Sequence, residues 1–194
     1  MNKEKVHEYL DQQINSTSSL KENYEELEKI FNVLKNARDS GNQVFVMGNG
    51  GSASTASHFV ADLLKTSITN ENKRLKAISL SDNIPVLLAW SNDESYDTVF
   101  SNQLENFVEK DDVVIGISGS GNSKNVLNAI QLANEKHATT IGLNGKDGGK
   151  LSKMVKINLT VNSEDMLTIE TIHLLICHLL TTMIRSDGTP KFNY

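Results

Sequence analysis

The sequence has little cysteine, no excess of positive charge and no long apolar segment. Cys177 is the only cysteine among 194 residues, which excludes an internal disulfide and fits a reducing compartment. The formal net charge is −5, so the composition gives no sign of a nucleic-acid or membrane-surface partner. No uninterrupted apolar run approaches the roughly 18 residues of a membrane-spanning helix, and the charged first residues do not resemble a signal peptide. We therefore expect a cytoplasmic protein that binds neither nucleic acid nor membrane.

The first 40 residues differ from the rest, because positions 2–39 contain neither proline nor glycine. Apolar residues recur there at helical spacing, which predicts two helices with a break within 15–19. Both helices precede the first strand, so they lie outside the alternating pattern that follows. We assign 1–40 to packing between subunits; the alternative is that these helices cover one side of their own sheet.

From residue 41 onwards, short apolar strands alternate with helical segments. The predicted strands are 44–47, 75–80, 112–118, 139–143 and 155–161. The predicted helices are 53–64, 84–90, 96–108, 124–136 and 165–185, with a turn at 91–94 and a loose polar tail from 186. This order predicts one domain, 1–194, whose α/β core (41–186) is a doubly wound, flavodoxin-like sheet of five parallel strands. Ligands of such sheets bind at the carboxyl ends of the strands.

The first candidate site is the loop GNGGS, residues 48–52, between a strand and a helix. Backbone N–H groups at a helix N-terminus converge where the helix dipole is positive, so the expected ligand is an anion, most often phosphate. The loop has neither the G-x-G-x-x-G spacing nor the lysine of a P-loop, so we expect no nucleotide cofactor. A simple glycine turn is the alternative interpretation.

The second candidate site is SGSGNS, which has three hydroxyl groups, those of Ser118, Ser120 and Ser123, within six residues. Hydroxyl and N–H groups at a helix start form a neutral binding site for a phosphate monoester. A helix cap is the alternative. Neither loop contains a lysine or a magnesium-binding motif, which favours phosphate as a binding handle and not as a transferred group.

The two loops, with SND at 91–93, GKDGG at 145–149 and TIETIHLLICHLL at 168–180, resemble the sugar isomerase (SIS) domain family. Within it, the resemblance is to the phosphoheptose isomerases and extends over about 6–184. It implies conversion of sedoheptulose 7-phosphate to D-glycero-D-manno-heptose 7-phosphate by a homotetramer with active sites at subunit interfaces. The implied phosphate ligands are Ser52, Ser118, Ser120 and Ser123. The other implied substrate contacts are Asn49, Gly50, Gly51, Asn92, Asp93 and Gly119.

The resemblance also implies a zinc ion, which some members hold with residues that correspond to His58, Asp62, Glu170 and His178. Three residues depart from the family pattern: Asp62 stands in place of a glutamate, Glu170 in place of a glutamine, and Thr66 in place of an arginine. The added charge of Glu170 favours a bound cation. The departures bear on the identity of the substrate more than on the class of reaction.

Helical geometry gives an independent interpretation of these residues. His58 and Asp62 are four positions apart on one helix face, which suits a metal pair, an acid/base pair or a surface ion pair. Two histidines and two carboxylates suit zinc or another first-row divalent ion. His178 lies about 12 Å along the helix axis from Glu170, so we expect two subunits to contribute if all four side chains meet. We interpret His173 as structural and Cys177 as a core residue.

The expected reaction is an aldose–ketose isomerisation through an enediol. We assign Asp62 as the base at carbon and His178 as the acid/base at oxygen, with Glu170 as the base if Asp62 is bound to a metal. The alternative is a non-catalytic SIS-domain protein that binds phosphosugars or the bacterial replication initiator. The initiator-binding relative lacks the acidic and final histidine positions, which this chain retains at 62 and 178.

Overall fold

The described part of the chain, residues 2–193 of a computed structural model, is a five-stranded parallel sheet between two layers of helices. Met1 and Tyr194, the ends of the predicted domain, lie outside the described residues. The strands are β1 Gln43–Gly48, β2 Lys76–Ser79, β3 Val113–Ser118, β4 Thr139–Gly145 and β5 Ile157–Val161. Their order in the sheet, β2-β1-β3-β4-β5, is the flavodoxin-like order, and the predicted fold class is confirmed.

The helices connect these strands and also precede them. They are α1 Lys3–Ser19, α2 Tyr24–Ser40, α3 Gly51–Ala61, α4 Ile84–Asp93, α5 Ser101–Leu104, α6 Lys124–Glu135, α7 Leu151–Met154 and α8 Met166–Ser186. Two 3₁₀ turns, Leu20–Asn23 and Tyr96–Thr98, interrupt the sequence of helices, and a π-helical turn, Asp62–Thr66, extends α3.

The central strands are buried on both faces, as their apolar sequences predict. Val44 and Val46 belong to the core that includes α2, α3 and α8. Phe45 and Met47 point to the opposite side and belong to the core that includes α5 and α6. Strands β1 and β3 are parallel neighbours in the sheet. The two predicted loops follow their carboxyl ends and therefore lie side by side.

Two local predictions are wrong between residues 91 and 108. The predicted turn at 91–94 is mostly the last turn of α4, which ends at Asp93. The predicted helix at 96–108 is divided into a 3₁₀ turn and the short α5. The reason is competition from side chains: the Ser95 hydroxyl accepts a hydrogen bond from the Asp97 N–H, and the Thr98 hydroxyl donates to the Ser95 carbonyl. The break between α1 and α2 also falls later than predicted, at Leu20–Asn23.

The tail after α8, predicted to be loose, is held against the chain that follows the π-helical turn. Thr69 and Pro190 form an antiparallel bridge. The Asn70 N–H donates to the Thr189 carbonyl at 2.9 Å, and the Lys191 N–H donates to the Ile68 carbonyl at 3.0 Å. The tail prediction is therefore wrong, because backbone pairing between distant segments has no local signature.

Helix α8 is long and apolar enough, by length and composition alone, to cross a membrane, which differs from the expectation from sequence. Half of the most apolar segment of this helix is buried inside the protein. Ile169, Ile172 and Ile176 are among the residues that pack into the core against the sheet. Helix α8 is thus a core helix of this domain and not a clear membrane span.

Candidate active site

The first loop turns sharply from β1 into α3. Gly50 occupies the N-cap position of α3 with φ +55°, a conformation that residues with a side chain rarely adopt. The Ser81 hydroxyl supports the turn by donating to the Gly48 carbonyl at 3.1 Å. Ser52, in the first turn of α3, is buried. The loop therefore brings backbone N–H groups and one hydroxyl to the carboxyl edge of the sheet.

The second loop joins β3 to α6 and brings two of the predicted hydroxyls together. Ser118 ends β3 and is buried, and its Oγ lies 3.0 Å from the Oγ of Ser123. Ser123 occupies the N-cap position of α6, but its side chain accepts no capping hydrogen bond there. Ser120 accepts a hydrogen bond from the Asn122 N–H at 3.2 Å. The interpretation of this loop as a simple helix cap is thus not favoured.

The helix starts at these loops, like those of α2, α5 and α7, lack a capping hydrogen bond to the side chain of the N-cap residue. Side chains cap α1, α4 and α8, where Asn2, Asn83 and Asp165 accept backbone N–H groups. At α3 and α6, the N-cap residues Gly50 and Ser123 provide no capping side-chain hydrogen bond. Uncapped N–H groups at a helix start are available to an anionic ligand, which is attracted by the positive end of the dipole.

A cavity of about 250 Å³ lies between the two loops. Its lining residues are Asn49, Ser52, Ile117, Ser118, Gly119, Ser120, Ser123, Met166 and Glu170. None of them is a lysine or an arginine, so the cavity would hold a phosphate through hydroxyl and N–H groups. Asn92 and Asp93 are not among these lining residues. They are exposed at the end of α4, and the Asn92 amide donates to the Asp93 carboxylate.

Glu170 reaches this cavity from α8. A Cβ atom added to Gly51 would overlap the Glu170 carboxylate, so this carboxylate packs directly against the glycine backbone. A side chain at position 51 would therefore require the Glu170 carboxylate to move. The result is a negative charge beside the first turn of α3, where the family resemblance leads us to expect a neutral amide.

A second group of site residues lies further along α3. The Nε2 atoms of His58 and His178 are 3.2 Å apart. Asp62 Oδ2 lies 3.6 Å from the first of these atoms and 3.7 Å from the second. Asp62 is the first residue of the π-helical turn, and its other oxygen accepts a hydrogen bond from the Thr66 hydroxyl at 2.9 Å. Three of the four predicted metal ligands therefore converge within one chain.

The spacing of these three ligand atoms fits a divalent ion. Their mutual distances are all within 4.8 Å. A tetrahedral zinc ion with bonds of about 2.0–2.1 Å holds its ligand atoms roughly 3.4 Å apart. Glu170 is outside this group, as the two helical turns between it and His178 lead us to expect. Contribution of a fourth ligand by a second subunit remains a prediction.

The two other notable residues of α8 are buried. His173 has no exposed surface, and its Nε2 lies 3.1 Å from the Asn144 carbonyl oxygen. Burial lowers the pKa of His173 to about 4. Burial also raises the pKa of the Cys177 thiol. Both side chains are therefore structural, as predicted.

Sequence reasoning missed three residues near the cavity. Met166 lines it, and the side chains of Asn125 and Tyr96 hydrogen-bond to Asn49. Asn125 lies two positions after the last residue of the second loop. This closeness to SGSGNS was the only feature of the sequence that could have marked Asn125 as part of the site. Tyr96 is 47 positions away from Asn49 and has no local signal.

The fold and the site define an α/β protein with a cavity of hydroxyl and N–H groups at the carboxyl edge of its sheet, which suits a phosphorylated ligand. Beside the cavity lies the group of His58, Asp62 and His178, here called the His–Asp–His group. Comparison with known proteins makes this assignment more specific. The model of the SIS domain family matches residues 8–145. This chain belongs to the SIS domain family.

Among curated relatives, phosphoheptose isomerase from Helicobacter hepaticus is 42% identical over 161 residues, which cover 83% of this chain and 82% of the relative. Phosphoheptose isomerase from Aliarcobacter butzleri is 38% identical over 182 residues, which cover 94% and 96%. The solved structure of phosphoheptose isomerase from Neisseria gonorrhoeae superposes with a TM-score of 0.88 at 30% identity, covering 94% of this chain and 98% of that one.

Proposed function

We propose that this protein is an aldose–ketose isomerase that converts sedoheptulose 7-phosphate to D-glycero-D-manno-heptose 7-phosphate. The observation that carries the proposal is the position of two different groups along α3. Ser52 of the anion cavity and His58 of the His–Asp–His group are six residues apart, or roughly 9 Å along the helix axis. One helix can thus hold the phosphate of an open-chain sugar and bring the His–Asp–His group to the other end of the sugar.

The cavity supplies binding and orientation. The phosphate accepts hydrogen bonds from the hydroxyls of Ser52, Ser118, Ser120 and Ser123 and from the uncapped N–H groups of α3 and α6. Holding the phosphate sets which carbon atoms of the sugar reach the acid/base groups, and such positioning is a large part of catalysis. Asn92 and Asp93 are exposed on α4 and do not line the cavity of their own chain. We propose that they contact the substrate in a homotetramer with active sites at subunit interfaces.

Proton transfer falls to Asp62 and His178. Asp62 removes a proton from C1 of the ketose while His178 donates a proton to the O2 carbonyl oxygen, which gives the enediol. His178 then accepts the O1 proton, and the carboxylic acid returns a proton to C2, which gives the aldose. Two groups within 3.7 Å of each other suit this exchange between adjacent atoms. Glu170 takes the role of base if Asp62 is bound to a metal.

We also propose a zinc-bound form as the alternative to proton abstraction by Asp62. In this form His58, Asp62 and His178 bind a zinc ion, and Glu170 is either its fourth ligand, from another subunit, or the base. A divalent ion at this position would polarise the carbonyl group and stabilise the enediolate. The donor set and the ligand spacing support this proposal. The proposed assembly is a homotetramer with active sites at subunit interfaces, and the proposed location is the cytoplasm.

A non-catalytic scaffold is the less favoured function. A scaffold does not need a carboxylate and two histidines in contact, and this chain keeps His58, Asp62 and His178 together at the end of α3. The curated relatives at about 40% identity are named as isomerases.

The test is turnover of sedoheptulose 7-phosphate by wild type, Asp62→Asn and His178→Ala, with the product identified by chromatography. We expect each variant to lose at least about 10²-fold in kcat, which is the usual contribution of a general acid or base. The matched control is His137→Asn, which replaces an exposed histidine at φ 63° by a residue that tolerates this conformation. Normal turnover in both site variants would contradict the assignment, and absence of turnover in wild type would contradict the function.

Metal analysis of the same proteins provides a separate test. We expect wild type to retain about one zinc ion per subunit after dialysis and His178→Ala to lose it. A chelator should then reduce the activity of wild type, with recovery on addition of zinc. Equal metal content in the two proteins would contradict the proposed zinc site.

A further inference from the structure

A pair of asparagines connects the two loops of the cavity. Asn49 Nδ2 donates to Asn125 Oδ1 at 2.9 Å, and Asn125 Nδ2 donates to Asn49 Oδ1 at 2.9 Å. Asn49 belongs to the first loop and lines the cavity. Asn125 lies in the first turn of α6, two residues after Ser123, and only 2% of its surface is exposed. The pair therefore joins the β1–α3 unit to the β3–α6 unit beside the cavity.

The neighbours of the pair determine the orientation of both amides. Asn125 Oδ1 also accepts the Val126 N–H at 2.9 Å, which requires an oxygen at this position. The amino group of Asn125 must then face Asn49 Oδ1, where the Tyr96 hydroxyl also donates at 2.7 Å. Asn49 is thus held by two donors and one acceptor, and its side chain has a single arrangement that satisfies all three.

We propose that Asn125 is a positioning residue that acts through Asn49 to hold the two loops at the separation needed to bind one phosphate monoester. This inference rests on the proposed function in assigning the cavity to phosphate. The hydroxyls and N–H groups of the cavity come from two separate strand–helix units, so each unit alone offers half of a binding site. A buried side chain that bridges the units fixes their relative position before the ligand arrives, which reduces the entropy lost on binding.

The effect of Asn125 belongs to binding and not to proton transfer. The hydrogen-bond partners of the Asn125 side chain are Asn49 and Val126. Neither of them belongs to the His–Asp–His group. Removal of Asn125 should therefore weaken phosphate binding and raise KM while kcat changes little. Loss of a residue needed only for folding would lower the amount of active protein, and with it the apparent kcat, while KM stayed unchanged.

The experiment is calorimetric titration of inorganic phosphate into wild type, Asn125→Ala and Asn128→Ala. Asn128 is the matched control, because it lies one turn further along α6 and donates to the Asp97 carbonyl at 2.8 Å without contacting Asn49. We expect Asn125→Ala to lose about tenfold in phosphate affinity, the size of one or two net hydrogen bonds. Asn128→Ala should keep wild-type affinity. With sedoheptulose 7-phosphate, Asn125→Ala should show a KM raised by about tenfold and kcat within about twofold.

A double-mutant cycle tests whether Asn125 acts through Asn49. In an Asn49→Ala background, we expect Asn125→Ala to cause no further loss of phosphate affinity, because the group it positions is absent. If Asn125→Ala does not fold, Asn125→Thr decides, because its hydroxyl keeps one hydrogen bond in a side chain of similar size. For this variant we expect a loss of about threefold.

Wild-type phosphate affinity in the folded Asn125 variant would overturn the inference, and so would fully additive losses in the cycle. The phosphate titration does not depend on catalysis. A wild type that binds phosphate but does not isomerise the sugar would therefore refute the proposed function and leave the role of Asn125 supported by the titration.

Discussion

At the scale of single residues, His173 shows how burial determines the charge of a histidine. The ring has no exposed surface, and its one hydrogen bond, from Nε2 to the Asn144 carbonyl, satisfies a neutral imidazole. Its Nδ1 is buried without a partner among the described residues. A proton on that atom would introduce an uncompensated charge into the core, which is why burial lowers the pKa to about 4.

The stability of the protein should therefore depend on pH through His173. Below pH 6.5 the unfolded chain binds a proton at this residue while the folded chain, with a pKa of about 4, does not. The free energy of unfolding should thus decrease as pH falls from 6.5 towards 4, by about 3 kcal/mol at most. Urea unfolding at several pH values should show a shallower decrease for His173→Leu than for wild type.

The matched control for this prediction is again His137→Asn, in which an exposed histidine is replaced. Its pH dependence should match that of wild type. Identical slopes for wild type and His173→Leu would contradict the assignment of a buried neutral ring.

At the scale of secondary-structure elements, a network of ion pairs links α2 to the end of α8. Arg38 has a side chain that is 3% exposed, and its Nη2 lies 2.7 Å from Asp187 Oδ2. The same oxygen lies 2.6 Å from Lys35 Nζ, and Arg38 Nε lies 2.8 Å from Asp39 Oδ1. The amphipathic pattern predicts α2 and α8 separately, whereas this network and the shared apolar core join them in the folded chain.

We expect Arg38→Ala to lower the free energy of unfolding by about 3 kcal/mol, because it removes one partner of a largely buried pair and empties the space of a long side chain. Lys29→Ala is the control within the same helix. Its 3.9 Å contact with Glu26 is exposed, and removal should cost less than about 0.5 kcal/mol. Chemical denaturation of the two variants measures the difference, and equal losses would contradict the structural role of Arg38.

At the scale of the whole molecule, the N-terminal helices have different surroundings. Ile30 and Leu34 of α2 are fully buried on the sheet, which fits a helix that covers its own domain. Helix α1 instead exposes Leu10 (51%) and Ile14 (61%). Two apolar grooves lie between α2 and α8, and Leu179 lines both of them. This apolar surface supports the proposed assembly of several chains.

If the chain forms a homotetramer through this surface, Leu10→Glu combined with Ile14→Glu should produce smaller species. Two carboxylates would have to be buried in the interface, at a cost that apolar contacts do not offset. Size-exclusion chromatography with light scattering measures the mass. Glu8→Gln, which changes an exposed charge on the same helix, should keep the wild-type mass, and a monomeric wild type would refute the prediction.

Much of the architecture was predictable from the sequence, because the signals are local. The alternation of apolar strands with amphipathic helices is typical of a parallel sheet, and the glycines and serines of 48–52 and 118–123 mark the ends of two strands. The spacing of His58 and Asp62 on one helix face is also a local property. These features depend on neighbours within a few residues, so the amino-acid order alone determines them.

The tertiary structure decided which distant residues meet. His58 and His178 are 120 positions apart, and their contact depends on how α8 packs across α3. The same packing directs Glu170 to Gly51 at the phosphate end of α3 and not to the His–Asp–His group. The pairing of Asn49 with Asn125 likewise requires β1 and β3 to be neighbours in the sheet. Contacts of this kind are set by the packing of whole elements, for which the local sequence has no signal.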